Sequence, residues 1–189
     1  MGYTRSFTLQ PGSAAYAAAW PQMLADTELI LQTVSRRGIA LCGPLGTGKP
    51  QLDPAVGIGF NGNLDSGHGC DSLWLPAPGP VAAGAPDDAR VWRYTKTIGL
   101  PYDLAVTSVL LRCHLLAPDA FTIGGSGTWH DWTTPVGHNP RDLVTDLFGT
   151  HVADSPLVDT TEGFALTQSG GWVDPRLATE PIVVTRPPR

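Results

Sequence analysis

The chain has 189 residues, a length that fits one domain, or one domain with an ordered extension, better than two full domains. Hydrophobic residues make up 42%, which is enough to fill a core and too much for a fully disordered chain, while 22 glycines and 18 prolines exclude coiled coils and helical bundles. The net charge of -5 and the scattered arginines argue against general nucleic-acid binding and against an anionic membrane surface, because no basic stripe is available.

The first elements predicted along the chain are a strand and two short helices. Apolar and polar residues alternate over 3–9, which is typical of a half-buried strand. The alanine-rich residues 14–19 predict a short helix that Pro21 should interrupt, because proline has no backbone N–H to donate. Asp26 is then expected to cap a second helix over 27–37.

The middle of the chain predicts short strands separated by loops. Two stretches between them are rich in glycine and proline and are predicted as loops, 43–54 and 76–88. Four short apolar stretches predict the strands, namely 39–42, 56–60, 73–75 and 91–95.

A helix over 104–116 is predicted to be the centre of the fold. Arg112 is its one clearly charged residue, and a helix that is apolar nearly all round must be covered on all sides. A strand over 121–124 follows, and Asn139 caps a last helix over 140–148.

These elements predict an α+β fold in a single compact domain over residues 1–150, with an antiparallel or mixed sheet packed on the central apolar helix. The strands are too irregularly spaced for a repeating βαβ series. Residues 151–189 are predicted as a C-terminal extension with two weaker strands, 163–167 and 182–185, and a frayed end.

Two glycine clusters match nucleotide-binding signatures in part, and both are rejected. Residues 43–49 match a phosphate-binding loop, but Pro50 replaces the Ser or Thr that would hold Mg²⁺ and removes a backbone donor. Residues 57–62 match a dinucleotide fingerprint, but no helix follows, and Asn61 and Gly62 are predicted as a tight turn between strands. We therefore expect no cofactor.

The candidate binding surface lies in a glycine-rich loop between a strand and a helix. There, Trp129 and Trp132 flank His130 and Asp131. Rigid scaffolds often present binding residues on such loops, and tryptophan is over-represented in binding hot spots. The alternative is that both indoles fold back to cover the apolar central helix.

The alternative to a binding site is a small hydrolase or a metal-dependent enzyme built from loop residues. Such a site needs nucleophiles or metal ligands, and the sequence supplies them in two loops. No Cys-x-x-Cys motif and no pair of histidines at helical i, i+4 spacing is present. The candidate residues of such an enzyme are His68, Cys70, Asp71, His130 and Asp131, and the first four are the candidate metal ligands.

The run YTKTIGLPYD, residues 94–103, leads from a predicted strand into the central helix. Together with residues 43–50 and 60–62 it resembles small uncharacterised proteins of actinobacteria and their phages, in which a KT...PYD run precedes an apolar helix. The resemblance covers about residues 40–150 and implies no activity or catalytic residue. This chain has Ile98, Gly99 and Leu100 where the pattern leads us to expect a charged residue.

The cysteines and the absence of long apolar runs predict a cytoplasmic protein. No run of 18 apolar residues occurs, and residues 1–10 do not show a charged region followed by an apolar one, so we expect an unexported protein without a membrane segment. Cys42, Cys70 and Cys113 are far apart and odd in number, which favours the reducing cytoplasm. We expect a non-enzymatic binding or accessory protein for an unknown protein or small-molecule partner, with a homo-oligomer left open.

Overall fold

A computed structural model describes residues 3–132 and 139–158. In this part of the chain the predicted α+β class is confirmed, with three helices and two antiparallel sheets in place of one. The helices are α1 (Ala14–Arg36), α2 (Asp103–Leu116) and α3 (Pro140–Phe148), and a 3₁₀ turn spans Trp129–Trp132. The strands are β1 (Thr4–Leu9), β2 (Leu41–Cys42), β3 (Gln51–Asp53), β4 (Gly57–Gly62), β5 (Leu73–Pro76), β6 (Val91–Lys96) and β7 (Phe121–Gly125).

The first sheet has the order β6-β1-β7, so the strand predicted over 3–9 is its central strand. Both neighbours run antiparallel to β1, and Phe7 lies opposite Arg93 on one side and Ile123 on the other. Phe7 also stacks on Phe121 with ring centroids 5.6 Å apart, and both rings are buried. This face of the sheet therefore contributes to the core.

The second sheet is organised around β4, which pairs antiparallel with β2, β3 and β5. The strand β3 lies inside the predicted loop 43–54, so that loop prediction is wrong for residues 51–53. Residues 51–53 pair with residues 57–59 of β4. They form a strand because β4 lies beside them, and the composition of the segment alone does not indicate this.

The predicted tight turn at Asn61 and Gly62 is also wrong, because both residues belong to β4. They pair with Cys42 and Leu41. The buried side chain of Asn61 is used inside the fold, since its amide donates to the Cys70 carbonyl at 2.8 Å and its carbonyl accepts from the Gly62 N–H at 2.7 Å. These hydrogen bonds hold Asn61 in the sheet instead of in a turn.

Helix α1 is a single helix of 23 residues, and Pro21 does not interrupt it as predicted. Pro21 is exposed, while Tyr16, Trp20 and Met23 form a buried face on either side of it. An interior proline costs a helix about 3 kcal/mol, and burial of one large apolar side chain contributes roughly 1.5 to 3 kcal/mol. The continuous buried face therefore outweighs the local cost.

Asp26, predicted as a helix cap, lies within α1 and is buried against α2. Its Oδ2 accepts from Arg112 Nε at 2.6 Å, and its Oδ1 accepts from Gln22 Nε2 at 2.7 Å. The Arg112 guanidinium also lies over the Phe148 ring, 4.3 Å from its centroid. The charged residue of the central helix therefore joins all three helices.

Helix α2 is the buried centre of the fold, as predicted. It contacts α1, α3 and β7, and Val109, Leu110 and Leu111 are all fully buried. Helix α3 is capped by the Asn139 side chain and ends at Gly149, as its local sequence predicts. No helix within the described ranges is both long and apolar enough to cross a membrane.

The described residues beyond position 150 pack on the first sheet. Leu157 forms a parallel bridge with Ile123, and the Val158 N–H donates to the Ile123 carbonyl at 2.8 Å. The strands predicted over 163–167 and 182–185, and the predicted frayed end, lie outside the described residues.

Candidate functional site

The 3₁₀ turn of the predicted binding surface is built on a local capping arrangement. Both the backbone N–H and the hydroxyl of Thr128 donate to Asp131 Oδ2, the hydroxyl at 3.0 Å, and the Asp131 N–H donates to the Thr128 carbonyl at 3.0 Å. The Thr128 backbone hydrogen bond, and after it the hydroxyl, holds the pKa of the Asp131 carboxyl below its usual range. The Asp131 carboxylate thus supplies one half of a capping box and stabilises the turn, while the Asp131 N–H bonds to the Thr128 carbonyl and not to its hydroxyl.

Trp132 does not belong to an exposed surface, because it is only 1% exposed and is part of the core. The Arg5 guanidinium lies 5.3 Å from the Trp132 ring centroid and 5.4 Å from that of Tyr3. On the other side, the Trp129 ring is 5.4 Å from Trp132, and Arg141 lies 4.4 Å over Trp129. This cation–π stack of five side chains fixes the turn between β1 and α3.

The four residues of the predicted surface therefore differ in exposure. His130 is exposed, Trp129 and Asp131 are partly buried, and Trp132 is buried. The indole Nε1 of Trp129 is buried without a hydrogen-bond partner among the residues that the structure describes. The predicted surface is thus reduced to three accessible side chains, because the Trp132 indole packs into the core.

The four candidate metal ligands do not form one site. His68 is exposed with its Nδ1 3.3 Å from the Ser66 hydroxyl, and the Asp71 carboxylate accepts from the Lys96 N–H at 3.1 Å. Cys70 bonds through its backbone to Asn61, while His130 lies in the 3₁₀ turn. Within 3–132 and 139–158, no group of three or more His, Cys, Asp or Glu side chains could hold a metal ion.

In the loop 43–49, which resembles a phosphate-binding loop, two backbone N–H groups donate to carbonyls of the loop itself. The Gly43 N–H donates to the Thr47 carbonyl at 3.0 Å, and the Gly46 N–H donates to the Gly43 carbonyl at 2.8 Å. After Pro50 the chain enters β3, where the sequence predicts a loop. The helix N-terminus that completes a phosphate site is therefore replaced by a strand.

The second glycine cluster has a packing explanation. A Cβ on Gly59 would lie 2.5 Å from the Trp74 ring, and a Cβ on Gly62 would lie 2.0 Å from the His68 carbonyl oxygen. Both positions therefore need glycine because neighbouring groups approach the β4 backbone closely.

The KT...PYD run forms the junction between β6 and α2. The Thr97 hydroxyl donates to Asp103 Oδ1 at 2.6 Å. The Tyr102 hydroxyl donates to the Asp71 carbonyl at 2.8 Å and lies 3.3 Å from the Lys96 carbonyl. The polar residues of this run thus hold the strand end, the loop before β5 and the start of the central helix together.

An open cleft lies beside this junction, at the end of α1. It is lined by residues 37–40, His68, Pro101 and Tyr102 and has a volume of about 290 Å³. Arg37 is exposed, and its guanidinium forms no hydrogen bond or ion pair with any residue in the described ranges. Sequence reasoning missed this cleft because three distant segments form it. The one local pattern at the cleft, Arg37 followed by Gly38, predicts only the end of a helix.

The lining of the cleft combines hydrogen-bond donors with apolar surface. Arg37 and His68 supply hydrogen-bond donors, while Ile39 and Pro101 supply apolar surface. None of the described lining residues is a Ser, Cys, Asp or Glu, so the lining holds no usual nucleophile and no carboxylate base.

Comparisons with protein-family models, with curated proteins and with solved structures found no match for the chain.

Proposed function

We propose that the chain is a non-enzymatic binding protein that holds a small molecule in the cleft beside the β6–α2 junction. The observation that carries the proposal is the cleft of about 290 Å³, which is lined by two side chains with hydrogen-bond donors, Arg37 and His68, and by an apolar wall. Sites for small ligands begin at roughly 300 Å³ and combine apolar lining with a few polar groups. At about 290 Å³ the cleft lies at the lower limit of this size, and its lining has this mixture.

The walls of the cleft are held in place without a ligand. Tyr102 is fully buried, and its hydroxyl is fixed by two backbone carbonyls. The His68 backbone N–H donates to the Asn63 carbonyl at 2.9 Å, and Ile39 is buried at the end of α1. A preformed site loses little conformational entropy on binding, which supports a binding role.

The carboxylates near the cleft are engaged in structural contacts. Asp71 accepts from the Lys96 N–H, and Asp103 accepts from the Thr97 hydroxyl and from Arg5. A general base needs a carboxylate that can reach the substrate proton. These contacts therefore favour a binding protein over the hydrolase alternative.

The proposal extends to location and partners. The three cysteines are free, which supports the reducing cytoplasm. A net charge of -5 supports a partner other than nucleic acid or an anionic membrane surface. A monomer and a homo-oligomer are both compatible with a cleft formed within one chain.

The test is fragment binding to the ¹⁵N-labelled protein, followed by NMR, with a variant that fills the cleft. Ala40 is exposed and lines the cleft, so Ala40→Trp should occupy it, whereas Ala15→Trp places the same indole at the other end of α1. We expect some fragments to shift the amide signals of residues 38–40 saturably in the parent and in Ala15→Trp, and not in Ala40→Trp. If no fragment shifts these signals saturably, the proposed function is wrong.

A further inference from the structure

The cleft presents one positive charge, that of Arg37, in an acidic chain. Arg37 and His68 line it, no carboxylate is among its described lining residues, and the whole chain carries a net charge of -5. We infer that the ligand of this cleft is a small organic anion whose carboxylate or phosphate group is bound by Arg37 and His68. This inference rests on the proposed binding function.

The Arg37 guanidinium has unused binding capacity. The ion pairs among the described residues join Arg5 to Asp103 and Arg112 to Asp26, and Arg37 takes part in neither. A guanidinium offers its N–H donors in a planar fork that matches a carboxylate or a phosphate bidentately. Arg37 is therefore suited to bind an oxyanion from solution.

The end of α1 does not cancel this positive charge. The last carbonyls of a helix are partly negative, and they would disfavour an anion if they were unpaired. Here the Arg37 N–H donates to the Thr33 and Val34 carbonyls at 3.3 and 3.1 Å, and the Gly38 N–H donates to the Ser35 carbonyl at 3.0 Å. These hydrogen bonds satisfy three of the last four carbonyls of the helix.

The two carboxylates at the junction, Asp71 and Asp103, have other partners than Arg37. Asp103 is paired with Arg5, and Asp71 accepts from the Lys96 N–H on the strand side of Tyr102. A ligand anion would therefore be the first ionic partner of Arg37 in the described part of the chain.

The volume limits the ligand to a small molecule with an apolar part. The volume of the cleft equals that of about ten water molecules at liquid density, which corresponds to a ligand of roughly ten non-hydrogen atoms. Ile39 and Pro101 provide apolar wall beside the two donors. Benzoate and phenyl phosphate have this size and combine an oxyanion with a ring.

The test compares charged and neutral probes of the same shape at constant ionic strength. We expect benzoate or phenyl phosphate to shift the amide signals of residues 38–40 saturably, and benzamide to bind at least about tenfold more weakly, the loss expected for one charge-assisted hydrogen bond. The tighter of the two anions identifies the oxyanion group, and either order supports the inference.

Neighbouring arginines provide the matched control. Arg36 is exposed on the same helix end but does not line the cleft, so Arg37→Gln should weaken anion binding about tenfold and Arg36→Gln should leave it unchanged. His68→Gln, on a different segment, should also weaken it. Equal affinity for benzamide and benzoate would overturn the inference, and so would an equal loss of anion affinity in the two arginine variants. In either case, saturable fragment binding would still support the proposed binding function. If no probe and no fragment binds, the proposed binding function is itself wrong.

Discussion

Arg5 in β1 and Asp103 at the start of α2 form a bidentate ion pair inside the protein. Arg5 Nε lies 3.0 Å from Asp103 Oδ1, and Nη2 lies 2.6 Å from Oδ2. Arg5 is 3% exposed, and its guanidinium also stacks between Tyr3 and Trp132. One arginine thus connects the first sheet, the central helix and the 3₁₀ turn.

Asp103→Asn should destabilise the protein by about 3 to 5 kcal/mol. Removing one member of a buried ion pair leaves the other charge, here Arg5, without compensation. Urea unfolding followed by circular dichroism measures the loss. The double variant Arg5→Met with Asp103→Leu should recover part of it, because no buried charge remains. A loss below about 1 kcal/mol in Asp103→Asn would mean that Arg5 is solvated.

Pro21→Ala should stabilise the protein, by up to about 3 kcal/mol. Pro21 lies inside α1, has no N–H for the Ala17 carbonyl and is exposed, so alanine restores a helix hydrogen bond without disturbing the core. Thermal unfolding of the variant and of Ala18→Gly, an exposed substitution on the same helix with the opposite expected sign, measures the effect. An unchanged or lower midpoint in Pro21→Ala would show that proline is the better residue there.

The sequence predicts those elements whose signals are local. Asn139, Pro140 and Gly149 define the ends of α3 within the segment itself, and the apolar residues 104–116 identify a covered helix wherever they occur. The same local rule predicts a break at Pro21 wrongly, because the buried face of α1 depends on partners such as the Pro54 carbonyl, which Trp20 reaches at 3.0 Å. Elements fixed by distant partners are predicted poorly from one segment.

The site is harder to predict than the fold for the same reason. The capping contact between Thr128 and Asp131 has a readable sequence pattern. The inward packing of Trp132, however, depends on Arg5, which lies more than a hundred positions earlier in the chain. The cleft likewise joins the end of α1, His68 and Pro101, and no spacing rule relates these segments.

Trp132→Ala should cost about 3 to 5 kcal/mol of unfolding free energy, because it empties a buried aromatic site and ends the contact with Arg5. His130→Ala, two positions away and exposed, should cost much less. Denaturant unfolding of the two variants compares them directly. Similar small losses in both would mean that the 3₁₀ turn is detached from the core in solution.

The capping contact of Asp131 should make stability depend on pH in the acid range. Hydrogen bonds from Thr128 hold the pKa of this carboxyl below its usual range. A carboxyl whose pKa is lower in the folded than in the unfolded state stabilises the fold above the unfolded value, and this contribution is lost as pH falls through the folded value. The parent should therefore be more stable than Asp131→Asn at pH 7, with a gap that closes below about pH 4. Urea titrations between pH 7 and pH 2 measure the gap, and a gap that is constant across this range would contradict an ionic role.

The three thiols should differ in reactivity because α2 buries one of them completely. Burial, and after it the charge of Asp26, raises the pKa of the Cys113 thiol to about 12, so at pH 8 only roughly one molecule in ten thousand carries the reactive thiolate. N-ethylmaleimide at pH 8 should therefore modify half-buried Cys70 first and leave Cys113 unmodified until urea unfolds the protein, while buried Cys42 reacts slowly. Intact mass and peptide mapping with and without urea locate each adduct, and Cys70→Ser should remove the fast one. A fast adduct on Cys113 in the native protein would mean that the central helix opens locally, and it would contradict the closed core around α2.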